Sequence, residues 1–482
     1  MSKDDQTAIR IEPGSYKDPK GNIFYHEDKV YRLAVSDAAQ FYQTLVKSLF
    51  FRGLIESHLF IPTWLANSDN IPFPAKKGNK ITCFEHERLD FISYPYEWPF
   101  EMLKDAAMHT LDLQHLLLKK EFSLKDATPY NIQFRFTQAL FIDLYSIENI
   151  SRNGIWIAYN QFCQMFLYPL LKFICNYSDP KEIFLSHMDG LTLDEIVQSL
   201  GFSPFFKYKM LTDYLIPAVI TKLKKYKAAS FLKNTVSIDR ESNISAEIQL
   251  HLIRRLIKIL KKMRYQNRLS EWKNYSVTCS YYEEDYLIKS KFIEKVLEIN
   301  EIKRVLDLGC NTGNYSIIAA KKGCYVVALD SDHDCVNSLY IQSKEKKYTI
   351  LPLWMDISNP SPAIGWRNTE RPDFISRYKS RFDCVFALAL IHHMLITNRI
   401  PLSEIATFFR QLTSRFLVVE YVSPKDKMFR ELVKYRNEDF NSLNMKGFEE
   451  TMLTQFTIIE KSELIDKQRQ MERCLYLMEC KI

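Results

Sequence analysis

Residues 304–316, Arg-Val-Leu-Asp-Leu-Gly-Cys-Asn-Thr-Gly-Asn-Tyr-Ser, decide the fold. The apolar start of this stretch predicts a buried strand, and Gly309 and Gly313 predict a sharp turn from that strand into a helix. Only 12 of the 482 residues are glycines, so two of them this close together stand out. Glycine allows a sharp turn and a close approach of backbone to a ligand, and the amides at a helix start attract polar groups. We therefore expect the chemistry of this chain at this turn.

A second apolar stretch, residues 324–329, predicts another strand, which leads into Asp330. A carboxylate about 20 residues after a glycine turn is suited to the hydroxyls of a ribose, which predicts a nucleoside-containing cofactor. A dinucleotide site needs the spacing G-x-G-x-x-G, whereas three residues separate Gly309 from Gly313. Asp307, just before them, would repel a diphosphate but suits the positive charges of S-adenosylmethionine. The residues therefore favour the methyl donor.

This pattern, D-x-G-x-x-x-G with a later acid, resembles that of class I S-adenosylmethionine-dependent methyltransferases. The resemblance implies an α/β, Rossmann-like fold with a seven-stranded, mostly parallel sheet in residues 271–482. It also implies that Asp356, after the third strand, binds the adenine amine. The predicted cofactor-binding residues are Asp307, Gly309, Cys310, Asn311, Thr312, Gly313, Asp330, Ser331, Asp356, Ile357 and Ala387.

Methyl transfer to a hydroxyl or amine needs an aligned acceptor and a group that removes a proton. His392 and His393 follow the predicted fourth strand, residues 382–388, at the edge where an acceptor would lie. Either histidine is a candidate base, and the alternative is that they cap or pack the next helix. Glu420, at the end of the predicted fifth strand, is a weaker candidate for substrate contact.

The N-terminal half contains a second pattern, in which Asp126 is followed by Asn131 and, after an apolar strand, by Asp143. It resembles the catalytic loop and metal-binding acid of protein-kinase-like and aminoglycoside-phosphotransferase-like folds. The resemblance implies that Asp126 orients an acceptor hydroxyl and that Asn131 and Asp143 hold magnesium beside ATP. The sequence departs from this pattern because there is no glycine-rich loop, Arg32 is the nearest counterpart of the strand lysine, and Leu124 replaces a histidine. An active phosphotransferase, a kinase-shaped binding module and a coincidental turn all remain open.

The whole chain also resembles bacterial two-domain methyltransferases related to a host-specific nodulation protein. The stretches that carry this resemblance are residues 94–107, 124–134, 141–148, 156–170, 306–316 and 388–394. We predict a flexible N-terminus (1–20), an α+β kinase-like domain with a helical lobe (21–240), a basic helical linker (241–270) and the methyltransferase domain (271–482). The predicted function is methylation of oxygen or nitrogen in a glycan or small molecule, with the kinase-like domain recognising the acceptor. The alternatives are a bifunctional kinase and methyltransferase, or a non-catalytic scaffold.

Composition limits the other function classes. The net charge of +7 is small for 482 residues, and with no nucleic-acid motif it does not indicate a nucleic-acid partner. Ten cysteines without a C-x-x-C pair, and no apolar run long enough to span a membrane, predict a cytoplasmic protein with reduced thiols. Asp332, His333 and Asp334 are expected on an exposed helix start, so we predict no metal in the methyltransferase half.

Overall fold

Two sheets organise the part of the chain that the computed structural model describes. The described residues are 9–17, 21–34, 38–66, 82–150, 156–176, 180–210, 241–265, 283–299, 301–435, 443–466 and 471–481. We refer to residues 9–265 as the N-terminal part and to residues 283–481 as the C-terminal part.

The N-terminal part begins with an antiparallel sheet. Its strands are β1 (Arg10–Ile11), β2 (Ile23–His26), β3 (Lys29–Ala34), β4 (Thr63–Leu65) and β5 (Thr82–His86), in the order β1-β2-β3-β5-β4. The sequence predicts a hairpin from Asn22 to Leu33, and the pairing of β2 with β3 confirms it. The turn is tight because Glu27 adopts a left-handed conformation, with φ of 51°.

Helices and short strands follow this sheet. The helices are α1 (Ala38–Lys47), α2 (Leu49–Glu56), α3 (Phe100–Leu118), α4 (Tyr159–Phe162), α5 (Tyr168–Asn176), α6 (Pro180–Ser186), α7 (Leu193–Leu200), α8 (Ser203–Lys207) and α9 (Glu241–Lys262). The strands are β6 (Phe122–Leu124), β7 (Ile132–Arg135), β8 (Gln138–Phe141) and β9 (Ile147–Asn149), paired antiparallel as β6 with β9 and β7 with β8. A π-helical turn, Cys163–Leu167, joins α4 to α5. Helix α9 buries one apolar stripe and leaves Arg254, Lys258 and Lys261 exposed, as surface helices commonly do.

The C-terminal part is built on a seven-stranded sheet. Its strands are β10 (Arg304–Leu308), β11 (Tyr325–Asp330), β12 (Ile350–Trp354), β13 (Phe382–Ala387), β14 (Thr413–Val422), β15 (Phe456–Asp466) and β16 (Met471–Cys480). The order is β12-β11-β10-β13-β14-β16-β15, and only the pairs that involve β16 are antiparallel. The predicted mostly parallel sheet is therefore confirmed. The accompanying helices are α10 (Glu283–Val296), α11 (Asn314–Lys321), α12 (His333–Lys346), α13 (Phe374–Tyr378), α14 (Ile391–Ile396), α15 (Leu402–Leu412), α16 (Lys427–Val433) and α17 (Met445–Met452).

One buried hydrophobic cluster continues through both parts. The rings of Phe91 and Phe382 stack with centroids 4.9 Å apart, and the Tyr378 hydroxyl donates to the carbonyl of Ile92 at 2.8 Å. Arg377 of the C-terminal part forms a buried ion pair with Glu97 of the N-terminal part. The site at the carboxyl ends of the parallel strands is thus held by a scaffold to which both parts contribute.

Candidate active site

The glycine turn lies where β10 ends and α11 begins. Gly309 and Gly313 have φ angles of 72° and 84°, in the left-handed region that favours glycine. The amides of Gly309 and Cys310 both donate to the carbonyl of Leu329 at 2.9 Å, which ties the turn to the neighbouring strand β11. Little room surrounds the turn, because a Cβ added at Gly313 would lie 2.4 Å from Leu339 Cδ1. The turn therefore requires glycine for both conformation and space.

This geometry predicts a measurable loss of stability for Gly313→Ala. The added methyl group would occupy a left-handed residue and press on Leu339, so the free energy of unfolding should fall by about 2–3 kcal/mol. Gly323→Ala is the matched control, because Gly323 has φ of 88° but no atom lies within 4 Å of the position that a new methyl group would take there. Urea unfolding should show the smaller loss at Gly323, and equal losses would mean that contact with Leu339 does not matter.

Two acids flank the turn, Asp307, which is buried, and Asp330, which is partly exposed. Ser316 Oγ donates to Asp307 Oδ2 at 2.5 Å, and the amides of Asn311 and Asp332 donate to the two oxygens of Asp330 at 2.7 and 2.8 Å. Burial raises the pKa of Asp307 to about 7 and that of Asp330 to about 6. Acids in such surroundings favour a ligand that brings positive charge or hydroxyl donors, because either stabilises the ionised carboxylate. The predicted roles of both acids fit this electrostatic setting.

The three residues between the two glycines differ in their exposure to solvent. Asn311 has φ of 49° and its side-chain oxygen accepts from the amide of Thr312 at 2.7 Å. Cys310 is 6% exposed, and burial raises the pKa of its thiol well above the ordinary value, so the thiol is not a nucleophile. Of the three predicted residues in this loop, Asn311 and Thr312 are partly exposed.

The remaining predicted cofactor residues lie along the same sheet edge. Ser331 is exposed directly after β11, and Ala387 is the buried last residue of β13. Asp356 is exposed after β12, and its Oδ1 accepts from the amide and hydroxyl of Ser358 at 2.8 and 2.6 Å. Ile357 is partly buried beside it. The structure thus brings the predicted residues to one edge, while the contact of each with a cofactor stays a prediction.

The two histidines follow a leucine that packs against the glycine turn. The side chain of Leu390, just before them in sequence, would contact a Cβ at Gly309 at 3.3 Å. The rings of His392 and His393 have centroids 4.2 Å apart. Burial lowers the pKa of both imidazoles, and the positive charge of Arg473 adds to the effect. Both histidines are therefore neutral at pH 7 and able to accept a proton.

His392 is the more buried of the pair. It is 3% exposed, and its Nδ1 has no hydrogen-bond partner among the described residues, whereas His393 is partly exposed. His392 borders a small, mostly apolar cavity between α14, the end of β14 and α16. The cavity is lined by Ile391, His392, Leu395, Leu402, Tyr421, Val422, Phe429, Leu443 and Phe448. This places His393 nearer to solvent and to any acceptor that enters from the rim.

Glu420 belongs to a buried charge network that sequence reasoning missed. Its Oε2 lies 2.6 Å from Lys289 Nζ and its Oε1 lies 3.5 Å from Arg473, which also pairs with Asp426 at 2.8 Å. All four side chains are 3% exposed or less. The sequence signal for this network is the charged side chain of Arg473, which directly precedes the apolar residues 474–478. The carboxylate of Glu420 thus lies between the positive charges of Lys289 and Arg473. Its contact with substrate stays a prediction.

The start of α12 differs from the expectation. The sequence predicts that Asp332, His333 and Asp334 lie on an exposed helix start, but His333 is 9% and Asp334 3% exposed. The reason is that the N-terminal part covers them: the amide of Phe100 donates to His333 Nε2 at 3.0 Å. Across the described ranges, no group of three or more histidine, cysteine, aspartate or glutamate side chains is arranged to hold a metal ion.

In the N-terminal part, three of the four predicted residues are linked. Arg32 pairs with Asp143 at 2.8 Å, and Ser146 connects Asp143 to the side-chain nitrogen of Asn131, which donates to Ser146 Oγ at 3.0 Å. Burial opposes ionisation of Asp143, but Arg32 and the hydrogen bond from Ser146 hold its pKa below the ordinary value. Asp126 lies partly exposed after β6. The kinase-like resemblance of this part stays a prediction.

The comparison with protein families concerns the C-terminal part of the chain. Residues 281–452 match a protein-family model described as a methyltransferase domain. Nodulation protein NoeA of Rhizobium meliloti (strain 1021) is 27% identical over 450 residues, which are 93% of this chain and 92% of NoeA.

Solved structures with similar chains include two that align with less than half of this chain. N-methyltransferase NodS from Bradyrhizobium japonicum WM9, in complex with S-adenosyl-l-homocysteine, is 11% identical with a TM-score of 0.32, and the match covers 44% of this chain and 94% of NodS. PH0226 protein from Pyrococcus horikoshii OT3 is 17% identical with a TM-score of 0.31, and the match covers 43% of this chain and 99% of PH0226.

The chain is an S-adenosylmethionine-dependent methyltransferase: the family match covers the glycine turn, both acids beside it and the histidine pair. None of the helices in the described ranges has the length and hydropathy that a membrane span requires.

Proposed function

We propose that this methyltransferase methylates an oxygen or nitrogen atom of a glycan or small molecule held beside His392 and His393. The observation that carries the proposal is the contact between the cofactor turn and the segment that leads to the candidate bases, since Leu390, two residues before His392, packs against Gly309. The carboxyl ends of β10, β11 and β13 meet at this edge, where ligands of parallel sheets bind. In this proposal Asp307 attracts the positive end of the cofactor, Asp330 accepts from the ribose hydroxyls, and Asp356 accepts from the adenine amine.

We propose further that the N-terminal part recognises the acceptor rather than transferring phosphate. The Arg32–Asp143 ion pair supports this, because the acid that would bind magnesium is already neutralised by a cation. Loss of that pairing on ATP binding would favour the alternative, a bifunctional kinase and methyltransferase with magnesium at Asn131 and Asp143. Magnesium-dependent ATP binding that is lost in Asp143→Ala would support this alternative. A cytoplasmic location is part of the proposal, supported by the free thiols of the described cysteines.

Asp330→Ala tests the cofactor site. Loss of the carboxylate removes charge-assisted hydrogen bonds to the ribose, so the Kd for S-adenosylhomocysteine should rise about 10- to 150-fold. Because the pKa of Asp330 is raised to about 6, increasing pH through that value ionises the carboxylate and should strengthen binding by the wild type. Calorimetry at several pH values measures both effects, with Asp383→Ala, at the opposite end of the strands, as the control. Wild-type affinity in Asp330→Ala would contradict the assignment.

The acceptor class is tested by labelling. Incubation of the protein with methyl-tritiated S-adenosylmethionine and fractionated lysate should label a glycan or small-molecule fraction. Label in nucleic acid or protein would contradict the proposed acceptor. No label in the glycan and small-molecule fractions would contradict it as well.

A further inference from the structure

The start of helix α3 is capped by the C-terminal part. The amide of Phe100 donates to His333 Nε2 at 3.0 Å, and the amide of Glu101 donates to Asn337 Oδ1 at 2.9 Å. The first amides of a helix have no partner within the helix, and the residue before α3, Pro99, supplies no side-chain cap. Two side chains of α12 therefore satisfy amides that would otherwise be buried without an acceptor.

The segment that supplies these caps begins at the proposed ribose acid. The amide of Asp332 donates to Asp330 Oδ1 at 2.8 Å, and Asp332 Oδ1 in turn accepts from the amides of Asp334 and Cys335 at the start of α12. A single hydrogen-bonded turn thus separates Asp330 from His333, and Asn337 lies one helical turn further along α12. A shift of α12 relative to α3 would be transmitted to the carboxylate of Asp330.

The contact is rigid as well as close. His333 is 9% and Asn337 2% exposed, and the His333 ring lies between the rings of Phe173, Tyr265 and Trp354 with centroids 4.7–4.8 Å away. Because His333 accepts at Nε2, its proton is on Nδ1, which faces Asp334 Oδ1 at 3.4 Å. The imidazole is therefore fixed both by packing and by a hydrogen bond at each nitrogen.

We propose that His333 and Asn337 are positioning residues for the cofactor, through which docking of the N-terminal part fixes residues 330–337 and raises the affinity for the nucleoside. This inference rests on the cofactor site proposed above. Coupling between two binding events is reciprocal, so cofactor binding also strengthens the contact of α12 with α3. The N-terminal part thereby contributes to cofactor binding through its contact with α12.

Calorimetry with S-adenosylhomocysteine on the full chain tests the inference. His333→Phe retains an aromatic ring among its neighbours but removes the acceptor, and Asn337→Ala removes the second acceptor. Each should weaken binding about 5- to 20-fold, in the lower part of the range for a typical coupling between sites. Asn337→Asp restores an acceptor that suits a helix start, so its Kd should stay within about threefold of the wild type.

Tyr340→Phe is the control for a general weakening of the interface. Its hydroxyl donates from α12 to Asp105 of α3 at 2.7 Å, but two turns beyond His333, so its loss should leave the Kd unchanged. Unchanged affinity in both His333→Phe and Asn337→Ala, or equal weakening in Tyr340→Phe, would overturn the inference. If Asn337→Ala does not fold, His333→Phe decides the result. Absence of binding by the wild type would instead remove the proposed cofactor site.

Discussion

Replacement of His393 by glutamine is expected to lower kcat for methyl transfer about 100- to 10,000-fold, the usual contribution of a general base. His393 is partly exposed at the rim, near the leucine that packs on the glycine turn. Its pKa lies below the ordinary value because burial and Arg473 disfavour the imidazolium. The neutral imidazole is thus available to accept the proton of a hydroxyl or ammonium acceptor, and glutamine keeps similar size without that basicity.

The pH profile distinguishes a base from a packing residue. Protons leave the imidazole as pH rises, so, with S-adenosylmethionine saturating at every pH, wild-type kcat/KM for the acceptor should increase from acid pH and level off below neutrality, as the lowered pKa requires. In His393→Gln this rise should disappear, while the Kd for S-adenosylhomocysteine changes less than about threefold. His187→Gln, an exposed histidine paired with Glu195 in the N-terminal part, is the matched control. A rate within about fivefold of the wild type, on the scale of a single packing defect, would assign His393 a packing role.

Much of the C-terminal fold was predictable because short stretches of sequence indicate where its strands begin and end. Apolar runs such as residues 304–308 are bounded by turns, and the strands observed there begin and end within a few residues of the predicted ones. Strand β14 begins before the apolar residues 416–419 that predict it, at Thr413. Its first residues are polar, and they are held by pairing with β13 rather than by their own hydrophobicity.

The site residues were predictable only where they lie close together in the sequence. The glycine turn and Asp330 need only spacing, and the structure places them at one sheet edge. Burial of His333 depends on contact with Phe100, more than 200 residues earlier, and no local pattern reports such a contact. The same holds for Lys289 and Arg473, which become neighbours only because α10 and β16 meet at the end of β14.

The buried network leads to the second large prediction, which concerns stability. Glu420→Gln should lower the free energy of unfolding by about 3–5 kcal/mol, the usual cost of removing one partner from a buried ion pair. Glutamine has nearly the same shape, so the loss would come from charge rather than from packing. Lys289 is 3% exposed and would lose the carboxylate that lies 2.6 Å from its Nζ. Chemical denaturation monitored by circular dichroism measures the change.

A second substitution separates this cause from loss of a single hydrogen bond. Lys289→Met removes the charge left behind in Glu420→Gln, and Arg473 still pairs with Asp426 at 2.8 Å. The double variant Lys289→Met/Glu420→Gln should therefore be more stable than Glu420→Gln alone, by at least about 1 kcal/mol, although it carries one more mutation. Additive losses would contradict the electrostatic origin, and so would a cost of under about 1 kcal/mol for Glu420→Gln, since that is the scale of an exposed ion pair.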